Sequence, residues 1–581
     1  MRSFLKMTFA TLTGLLLFGA VMTFVSIGVI GALATLGKQQ PIMPESAVLT
    51  MDMSTVALME QTTEIDPISM IQGEGIEIQP LGIYSAIRAI NLAAGDPAIR
   101  YIYMKPDMVS GGIAQIEELR AALKNFRQSG KAIISYIENP TNAGYYLASV
   151  SDKIYMTTHD GGMNLFCGLS SRMIFLKDLL AKLGVNVQLI RHGKYKSAGE
   201  MFIRSTPSKE NIEQNTAMVN SIWNSWASEI ADAREISVEQ LNAMLDNLEL
   251  VFPSDFLEKG LVDELVSREQ LREKLASLYV AENPEDVKTI SIQDYAQVRT
   301  IVNFAPKGKI AVIYADGNIV EGKDPMQVDG DRFAKIIAEV RKDSSIKAAV
   351  LRVNSPGGSV LAAEKITEEI KLLQERMPVV ASFGNYAASG GYWISAGCDK
   401  IYSNATTLTG SIGVFSMIPD LSKTIEDKLH IGLTTINSNK HSDMHSTTRP
   451  LTDKEAAYMQ ASVERIYEVF TGLVAEGREV PVAKVDEIAQ GRVWSGAEAM
   501  NINLVDQIGT IEDAITWAAL SIDGVNSVNE VEIVNFPKPL TRIEMLMESL
   551  AKPAEQNILT KWAKASPGKV YARMPYDLII K

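Results

Sequence analysis

The 581-residue chain is poor in the side chains that most often build metal and catalytic sites: it has two cysteines and five histidines. Two cysteines, Cys167 and Cys398, cannot form a disulfide framework or a zinc site alone, so we expect free, buried thiols. The net charge of −13 argues against a nucleic-acid partner, which would need a basic face. No histidine lies in a recognisable triad context. His441, Asp443 and His445 fall in a polar stretch typical of a mobile loop, so we expect no metal there.

One long uncharged run stands at the N-terminus, over residues 7–37, after Arg2 and Lys6. A bilayer core needs about 20 apolar residues, whereas a cleavable signal peptide has an apolar stretch of only about 7–15. The run therefore predicts a retained, single-pass transmembrane helix, although the small residues 32–34 leave cleavage open as the alternative. The positive-inside tendency predicts that Arg2 and Lys6 stay in the cytoplasm and that the rest of the chain lies outside.

The chain also contains an internal duplication. Residues 110–112, 142–148, 152–155 and 261–263 match 356–358, 389–395, 399–402 and 504–506 in the same order, at offsets of 243 to 247. We therefore predict a cytoplasmic tip with a transmembrane anchor (1–38), a first repeat (39–300), a second repeat (301–536) and a C-terminal extension (537–581). Within the extension, Thr541–Leu550 is a candidate amphipathic helix.

Each repeat has the pattern strand, helix, strand. In the second repeat we predict strands at Lys309–Tyr314, Ala348–Val353 and Pro378–Phe383 and a helix at Ala362–Glu375. The first repeat shows the same order at Ile99–Met104, Gln115–Arg127 and Ala132–Tyr136. Strands that alternate with helices predict βαβ units, a mostly parallel sheet and hence an α/β fold.

Candidate chemistry gathers at glycine-rich turns of the second repeat. Ser389 follows a predicted strand among small residues, which suits a nucleophile on a tight turn, and Gly390 comes next. Gly357 and Gly358 follow another strand, and glycines there let the backbone expose N–H groups to an oxyanion. Taken alone, the Gly357–Gly358 motif is equally typical of a plain strand–helix turn, and a serine among glycines is more often part of a loop than a nucleophile. The motifs at 408–414 and 491–496 favour structural turns.

A serine nucleophile needs a base, and a lysine kept neutral by burial can replace histidine. The first repeat offers Lys196, within the segment Gly193–Glu200. Without further context, a solvated basic loop is the preferred interpretation of that segment.

Two motifs together, Ala388–Tyr392 (ASGGY) and Tyr195–Ala198 (YKSA), resemble the signal peptide peptidase A family, also called protease IV, in its long duplicated form. The resemblance implies tandem ClpP/crotonase-like spiral βαβ domains and a Ser–Lys dyad. Ser389 would be the nucleophile and Lys196 the general base. The oxyanion hole would come from Gly390 and from Gly357 or Gly358, with no metal and no cofactor.

The duplication gives a separate argument for a shared site. The first repeat has Asn142 where the second has Ser389, and Lys196 aligns with Ser442. Each repeat thus holds one half of the dyad, which predicts one composite site between them. One departure from the family pattern is Glu200–Phe202, where a proline usually precedes the aromatic residue.

The resemblance further implies a membrane-anchored serine endopeptidase that degrades remnant signal peptides and other apolar peptides. It implies the bacterial inner membrane, with the catalytic part on the periplasmic side, and a bowl-shaped homo-oligomer, a tetramer in the family. Two alternatives stay open. One is an acyl-CoA hydratase or hydrolase on the crotonase scaffold, and the other is a non-enzymatic membrane scaffold.

Overall fold

The computed structural model describes residues 2–36, 41–62, 78–299, 305–322, 324, 326–538 and 570–574. Helix α1 (Arg2–Leu36) contains the stretch Lys6–Val25, with a mean hydropathy of 1.9. Among the described residues it is the single helix long and apolar enough to cross a bilayer. By length and composition, a membrane anchor and a signal sequence both fit it. The candidate helix Thr541–Leu550 lies outside the described residues.

The first repeat alternates strands and helices. Its strands are β1 (Ala47–Asp52), β2 (Val56–Met59), β3 (Gln79–Gly82), β4 (Ile99–Lys105), β5 (Ile133–Ile137), β6 (Lys153–Thr157), β7 (Asn186–His192), β8 (Glu264–Val266) and β9 (Thr289–Ser291). Its helices are α2 (Ile83–Gly95), α3 (Ile113–Arg127), α4 (Asn142–Ala148), α5 (Lys177–Lys182), α6 (Glu200–Ile203), α7 (Lys209–Arg234), α8 (Val238–Asp246), α9 (Pro253–Glu258), α10 (Arg268–Tyr279) and α11 (Ile292–Val298).

The second repeat follows the same order. Its strands are β10 (Lys309–Asp316), β11 (Ile319–Val320), β12 (Val328–Asp329), β13 (Ile346–Ser355), β14 (Gly357–Ser359), β15 (Val379–Ala388), β16 (Lys400–Ser403), β17 (Leu408–Gly410), β18 (Val414–Asp420), β19 (Val493–Ser495), β20 (Gln507–Ile508) and β21 (Glu532–Phe536). Its helices are α12 (Gly330–Lys342), α13 (Val360–Gln374), α14 (Gly390–Trp393), α15 (Asp453–Gly477), α16 (Val482–Ile488), α17 (Gly496–Asn501) and α18 (Ile511–Leu520). A last strand, β22 (Val570–Arg573), belongs to the C-terminal extension.

Each repeat is built on its own mostly parallel sheet. The first has the order β8-β6-β5-β4-β1-β9, and every pair in it is parallel. The second runs β19-β17-β15-β13-β10-β21, with β16 beside β15 and β20 beside β16, and only β17–β19 is antiparallel. The apolar run of β10 is buried over six consecutive residues, as expected for a strand covered on both faces. The predicted α/β fold of duplicated βαβ units is confirmed.

A third sheet joins the two repeats in the order β12-β11-β14-β22-β18-β7. Strand β7 of the first repeat pairs antiparallel with β18 of the second over seven residue pairs, from Val414–His192 to Asp420–Asn186. Strand β22 fills the place between β14 and β18. This sheet fixes the loop after β7 against the second repeat.

A buried ion cluster also holds the repeats together. Arg352, on β13, donates from Nε to Glu60 at 2.6 Å and from Nη1 to Glu118 at 2.9 Å. All three side chains are at most 1% exposed, and both carboxylates come from the first repeat. Asn404 Nδ2 and the N–H of Ile511 also donate to Glu118. Charges this deeply buried persist only when paired, so the cluster sets the relative position of the two repeats.

The predicted strands and helices occur in the predicted order, with ends shifted by a few residues; the third strand runs on to Ala388 rather than ending at Phe383. One expectation about the thiols is wrong. Cys398 is buried, but Cys167 is exposed, because it lies in the irregular segment after β6 rather than in a strand. The boundaries 38/39, 300/301 and 536/537 remain predictions.

Candidate active site

Ser389 lies at the sharp turn between β15 and α14. Its backbone has φ 56° and ψ −113°, a conformation that non-glycine residues rarely adopt. The N–H of Ser389 donates to the carbonyl of Gly410 at 2.7 Å, and the residue is fully buried. Such strain persists where the surroundings hold it, and it is concentrated at functional sites.

Lys196 approaches Ser389 from the other repeat. It lies four residues after the end of β7, and the pairing of β7 with β18 places it beside the end of β17. Its Nζ lies 2.8 Å from Ser389 Oγ, 2.9 Å from Ser411 O and 3.0 Å from Ser411 Oγ, all within hydrogen-bond distance. The two residues predicted from separate repeats are therefore in direct contact within one chain.

Burial also changes the charge state of this lysine. The Lys196 side chain is 0% exposed, and this desolvation holds its pKa well below the ordinary value of 10.5. The groups bonded to Nζ are two hydroxyls and a carbonyl, none of which is charged. Without a charged partner, the neutral amine is favoured, which is the state that can accept a proton.

The loop that carries Lys196 is fastened by buried polar contacts. Arg191 Nη1 donates to the carbonyl of Lys196 at 2.7 Å and to Glu200 Oε1 at 3.2 Å. Glu200 also accepts from the N–H of Ser208 and from Asn211 Nδ2. Burial acts to raise the pKa of Glu200, but the bonds from Ser208 and Arg191 outweigh it and lower the pKa. Glu200 therefore anchors the loop as a carboxylate, next to Met201, which stands where the family pattern has a proline.

Glycines bring the backbone behind the lysine close to it. A Cβ built on Gly491, whose φ is 77°, would lie 2.6 Å from Lys196 Cβ and 2.7 Å from its Cα. A Cβ on Gly413 would lie 3.3 Å from Lys196 Cδ. The N–H of Ser411 donates to the carbonyl of Arg492 at 2.7 Å. These contacts leave room for the lysine and for no larger residue at 491.

The candidate oxyanion glycines lie together beside Ser389. Gly357 has φ 95°, and its N–H donates to Ser355 Oγ at 3.2 Å. A Cβ built on Gly390 would lie 3.1 Å from the nitrogen of Gly358. Gly390 opens α14, so its N–H has no partner within the helix. The backbones of Gly358 and Gly390 thus lie in contact, whereas the N–H of Gly357 is directed at Ser355.

Asn142 and Ser442 are the positions that align with Ser389 and Lys196 in the opposite repeats, and they make different contacts. Asn142 is buried, donates to the carbonyl of Gly168 at 2.9 Å and accepts from the N–H groups of Cys167 and Gly168. Ser442 is exposed and bonded to its neighbours Ser438 and Asn439. Among the described residues, a lysine–serine pair of this kind therefore occurs once.

Sequence reasoning missed Ser411 and Gly491 as parts of the site. Both lie in glycine motifs that were interpreted as structural turns. The signal was a serine between two glycines in Gly410–Gly413, but its proximity to Lys196 depends on the third sheet.

Elsewhere, His441 Nδ1 lies 2.8 Å from Glu455, and Arg449 pairs with Asp443. Within the residues described, no group of three or more metal-ligating side chains is found.

Comparison with known proteins places the chain in a class of peptidases. The model of peptidase family S49 matches twice, at residues 125–281 and 371–523, once in each repeat. The chain belongs to this family of serine peptidases.

Three relatives each match about four fifths or more of this chain. Protease 4 of Haemophilus influenzae is 31% identical over 519 residues, which cover 86% of this chain and 82% of that protein. Protease 4 of Salmonella typhi is 34% identical, covering 81% and 76%. The chloroplastic serine protease SPPA of Arabidopsis thaliana is 31% identical, covering 79% and 68%. Among solved structures, a ClpP1 mutant from Listeria monocytogenes is 16% identical, covers 35% of this chain and 93% of its own, and has a TM-score of 0.24.

Proposed function

We propose that this peptidase is a membrane-anchored endopeptidase that uses Ser389 as nucleophile and Lys196 as general base. The observation that carries the proposal is the 2.8 Å contact between Lys196 Nζ and Ser389 Oγ in a buried site. A neutral lysine at hydrogen-bond distance from a hydroxyl satisfies both the geometry and the pKa that a general base needs.

The reaction is acyl transfer. Neutral Lys196 takes the hydroxyl proton as Ser389 Oγ attacks a peptide carbonyl, and Ser411 orients the amine through its carbonyl and hydroxyl. The N–H groups of Gly358 and Gly390 hold the oxyanion, and each such donor contributes about 3–4 kcal/mol to transition-state stability. Gly357 supplies the turn that presents them. Protonated Lys196 then gives its proton to the leaving amine, and water hydrolyses the acyl-enzyme.

The substrates are apolar peptides, including signal peptides released in the membrane. The wall beside the dyad is apolar: Ala388, Leu408 and Val493 pack there with Met218 and Ile222 of α7. Helix α1 would hold this cleft near the bilayer, where such peptides are released. With Arg2 and Lys6 in the cytoplasm, the catalytic part lies on the periplasmic side of the inner membrane.

The active form is a ring of identical chains. The duplication maps β18 onto residues 167–173 and β7 onto residues 432–438, at offsets of 247 and 246. In the described chain neither segment is paired with a strand, and Ile436 is 94% exposed. Exposed segments that align with paired strands are candidate association sites. The internal β7–β18 pairing supports the same pairing between residues 432–438 of one chain and 167–173 of the next.

The test is hydrolysis of an apolar peptide by the full chain in detergent. We expect Ser389→Ala and Lys196→Ala each to lower kcat/KM by at least about 10³-fold. Lys194→Ala is the matched control, because Lys194 is exposed and lies over the ring of Tyr195. It should retain wild-type rates.

Three results would decide between the alternatives. Covalent labelling of Ser389 by a fluorophosphonate requires an activated serine and would argue against an acyl-CoA enzyme. An active Lys196→Ala variant would show that the base is another group. A wild-type chain that neither cleaves peptides nor reacts with the fluorophosphonate would favour the non-enzymatic scaffold.

A further inference from the structure

Lys196 lies at the centre of a three-residue turn. The N–H of Ser197 donates to the carbonyl of Tyr195 at 2.8 Å, so the backbone bends at the lysine itself. A turn this short closes only one hydrogen bond of its own, and the four-carbon stem of a lysine is flexible. Contacts from outside the turn therefore determine where Nζ lies relative to Ser389.

Gln214, on α7, bridges the two residues on either side of the lysine. Its Nε2 donates to the carbonyl of Tyr195 at 3.1 Å and to Ser197 Oγ at 2.8 Å, and its side chain is 1% exposed. Because a carbonyl can only accept a hydrogen bond, the amide nitrogen must be the atom that faces Tyr195. Both amide protons are therefore used, one before Lys196 and one after it.

The oxygen of the same amide is bonded to the second repeat. The N–H of Ser411 donates to the carbonyl of Arg492. Since hydrogen-bonded and non-hydrogen-bonded pairs alternate in an antiparallel ladder, the next pair of β17 and β19, Gly410–Val493, is not hydrogen-bonded. The N–H of Val493 therefore points out of the ladder, and Oε1 of Gln214 accepts it at 3.3 Å. One amide thus joins the lysine turn to β19.

The nucleophile is bonded to the other member of that pair. The carbonyl of Gly410 accepts the N–H of Ser389 at 2.7 Å, and Gly410 lies directly across from Val493. Gln214 and Ser389 are therefore bonded to two residues that face each other across one ladder. The positions of the lysine turn and of the serine are set relative to the same pair of residues.

Packing holds the amide of Gln214 in this place. Met218 and Ile222 follow Gln214 by four and eight residues on α7, so the three side chains lie on one face of the helix. Both apolar side chains are buried against Leu408 and Val493 of the β17–β19 ladder. This face of α7 therefore cannot move away from β19 without exposing its apolar contacts.

A second residue of α7 contacts the turn, but from the exposed side. Glu213 accepts from the hydroxyl of Tyr195 at 3.0 Å and from Arg492 Nη1 at 3.0 Å, and its side chain is 50% exposed. Water can replace such contacts, which therefore contribute little. The bonds of Gln214 are buried, and removing them leaves buried partners without a hydrogen bond. Of the two residues, Gln214 is the one that fixes the turn.

We propose that Gln214 is a positioning residue for the reaction: its amide holds the turn 195–197 against β19, so that Lys196 Nζ stays buried within reach of Ser389 Oγ. This inference rests on the proposed function of Ser389 and Lys196. Gln214 contacts neither of the reacting atoms and takes no part in proton transfer. It acts through the backbone on both sides of the lysine.

The experiment compares Gln214→Met with wild type, as full chains in detergent, by kcat and KM for an apolar peptide across the pH range. Methionine keeps the length of the side chain and removes its three hydrogen bonds. A displacement of about 1 Å can cost about 10²-fold in rate, so we expect a loss of about that size, mainly in kcat.

The pH profile separates positioning from a loss of stability. A loosened lysine is less desolvated, so its pKa returns toward 10.5 and the midpoint of kcat/KM should move to higher pH. A variant that only contains less folded protein loses rate by the same factor at each pH. An unchanged midpoint in Gln214→Met would therefore overturn the proposal.

Gln293→Met is the matched control. Gln293 is 8% exposed on α11, and its Nε2 also donates to a carbonyl and a hydroxyl, both of Thr55, at 3.4 and 3.5 Å. The same buried amide is lost at a place without contact to the lysine turn. Its rates and its midpoint should match those of wild type, and a shift equal to that of Gln214→Met would contradict the assignment.

Ser197→Ala tests the contact without a change in α7. It removes the hydroxyl that accepts from Gln214, so we expect a loss of about tenfold and a midpoint shift in the same direction. Added to Gln214→Met it should cost little more, because the two changes remove one interaction. A wild-type profile in either variant, beside an inactive Lys196→Ala, refutes this inference alone. A fully active Lys196→Ala refutes the proposed function with it.

Discussion

At the scale of single residues, the site depends on Lys196, whose Nζ lies within hydrogen-bond distance of uncharged groups only. A lysine beside a carboxylate would stay protonated, whereas Lys196 meets only neutral oxygen atoms in a buried pocket. Burial disfavours the ammonium form of this lysine, and the neutral amine that results can act as a base. In the proposed mechanism, the lowered pKa of Lys196 and its role as a base both follow from the burial of Nζ.

This feature predicts the pH dependence of activity. Since burial lowers the pKa of Lys196 well below 10.5, kcat/KM should rise with pH along a single ionisation and reach a plateau far below that value. Activity is lost as pH falls through the folded-state pKa, because the protonated lysine cannot accept the serine proton. The unfolded chain binds more protons in the window between the two pKa values, so stability also rises with pH there.

The measurement is kcat/KM for an uncharged apolar peptide across the pH range, with unfolding by denaturant at the same pH values. A matched profile for Lys194→Ala should overlay the wild type, since that lysine is exposed. A midpoint near the ordinary lysine value would contradict the assignment of Lys196 as a base that is neutral near physiological pH.

Sequence motifs predicted the serine and the lysine of the proposed dyad, but they could not predict every residue that lies around them. Ser411 contacts Lys196 through both its hydroxyl and its carbonyl, and this depends on the β7–β18 register, which no local pattern encodes. Similarly, a choice between Gly357 and Gly358 depends on the Ser355 hydroxyl, which takes the N–H of Gly357. Short motifs predict residue types at a turn, whereas hydrogen-bond directions come from tertiary contacts.

At the scale of elements, the site is assembled by the pairing of β7 with β18. That pairing delivers the lysine loop from the first repeat, and the glycine turn at 491 closes behind it. The predicted strands and helices of both repeats followed from apolar runs and helix spacing. The third sheet did not, because its strands are short or come from distant parts of the chain, and β22 lies in an extension whose pattern predicted only a helix elsewhere.

The closeness of Gly491 to Lys196 predicts that even one methyl group there disrupts the site. In Gly491→Ala the new Cβ would lie 2.6 Å from Lys196 Cβ, so the lysine must shift. A displacement of about 1 Å can cost about 10²-fold in rate, and we expect kcat to fall by at least that factor. The measurement is steady-state hydrolysis of the apolar peptide.

The matched control is Gly524→Ala. Gly524 has nearly the same φ, 76°, but nothing lies within 4 Å of its built Cβ. Both variants should lose about 1–2 kcal/mol of stability from the left-handed backbone, while only Gly491→Ala loses activity. Comparable activity in the two variants would mean that the turn at 491 does not position the lysine.

At the scale of the whole molecule, the two repeats differ both at the site and at their outer segments. Inside, Asn142 replaces the serine and uses its amide to tie down the loop at Gly168, so the first repeat retains the turn without the nucleophile. The Arg352 cluster then fixes the repeats in one arrangement. Outside, the edges equivalent to β7 and β18 are left unpaired at 432–438 and 167–173.

These edges predict how copies of the chain associate. If residues 432–438 pair with 167–173 of a neighbour, a charge at Ile436 should separate the copies without unfolding them, because this side chain is 94% exposed in the single chain. We expect the wild type in detergent to be a closed oligomer and Ile436→Asp to be a single chain by light scattering. Since both halves of the dyad lie in one chain, the separated variant should keep most of its activity on a short peptide.

Leu520→Asp is the matched control, because Leu520 is also exposed, at 55%, but lies at the end of α18. It should leave the oligomer intact, whereas an unchanged oligomer in Ile436→Asp would place the interface elsewhere.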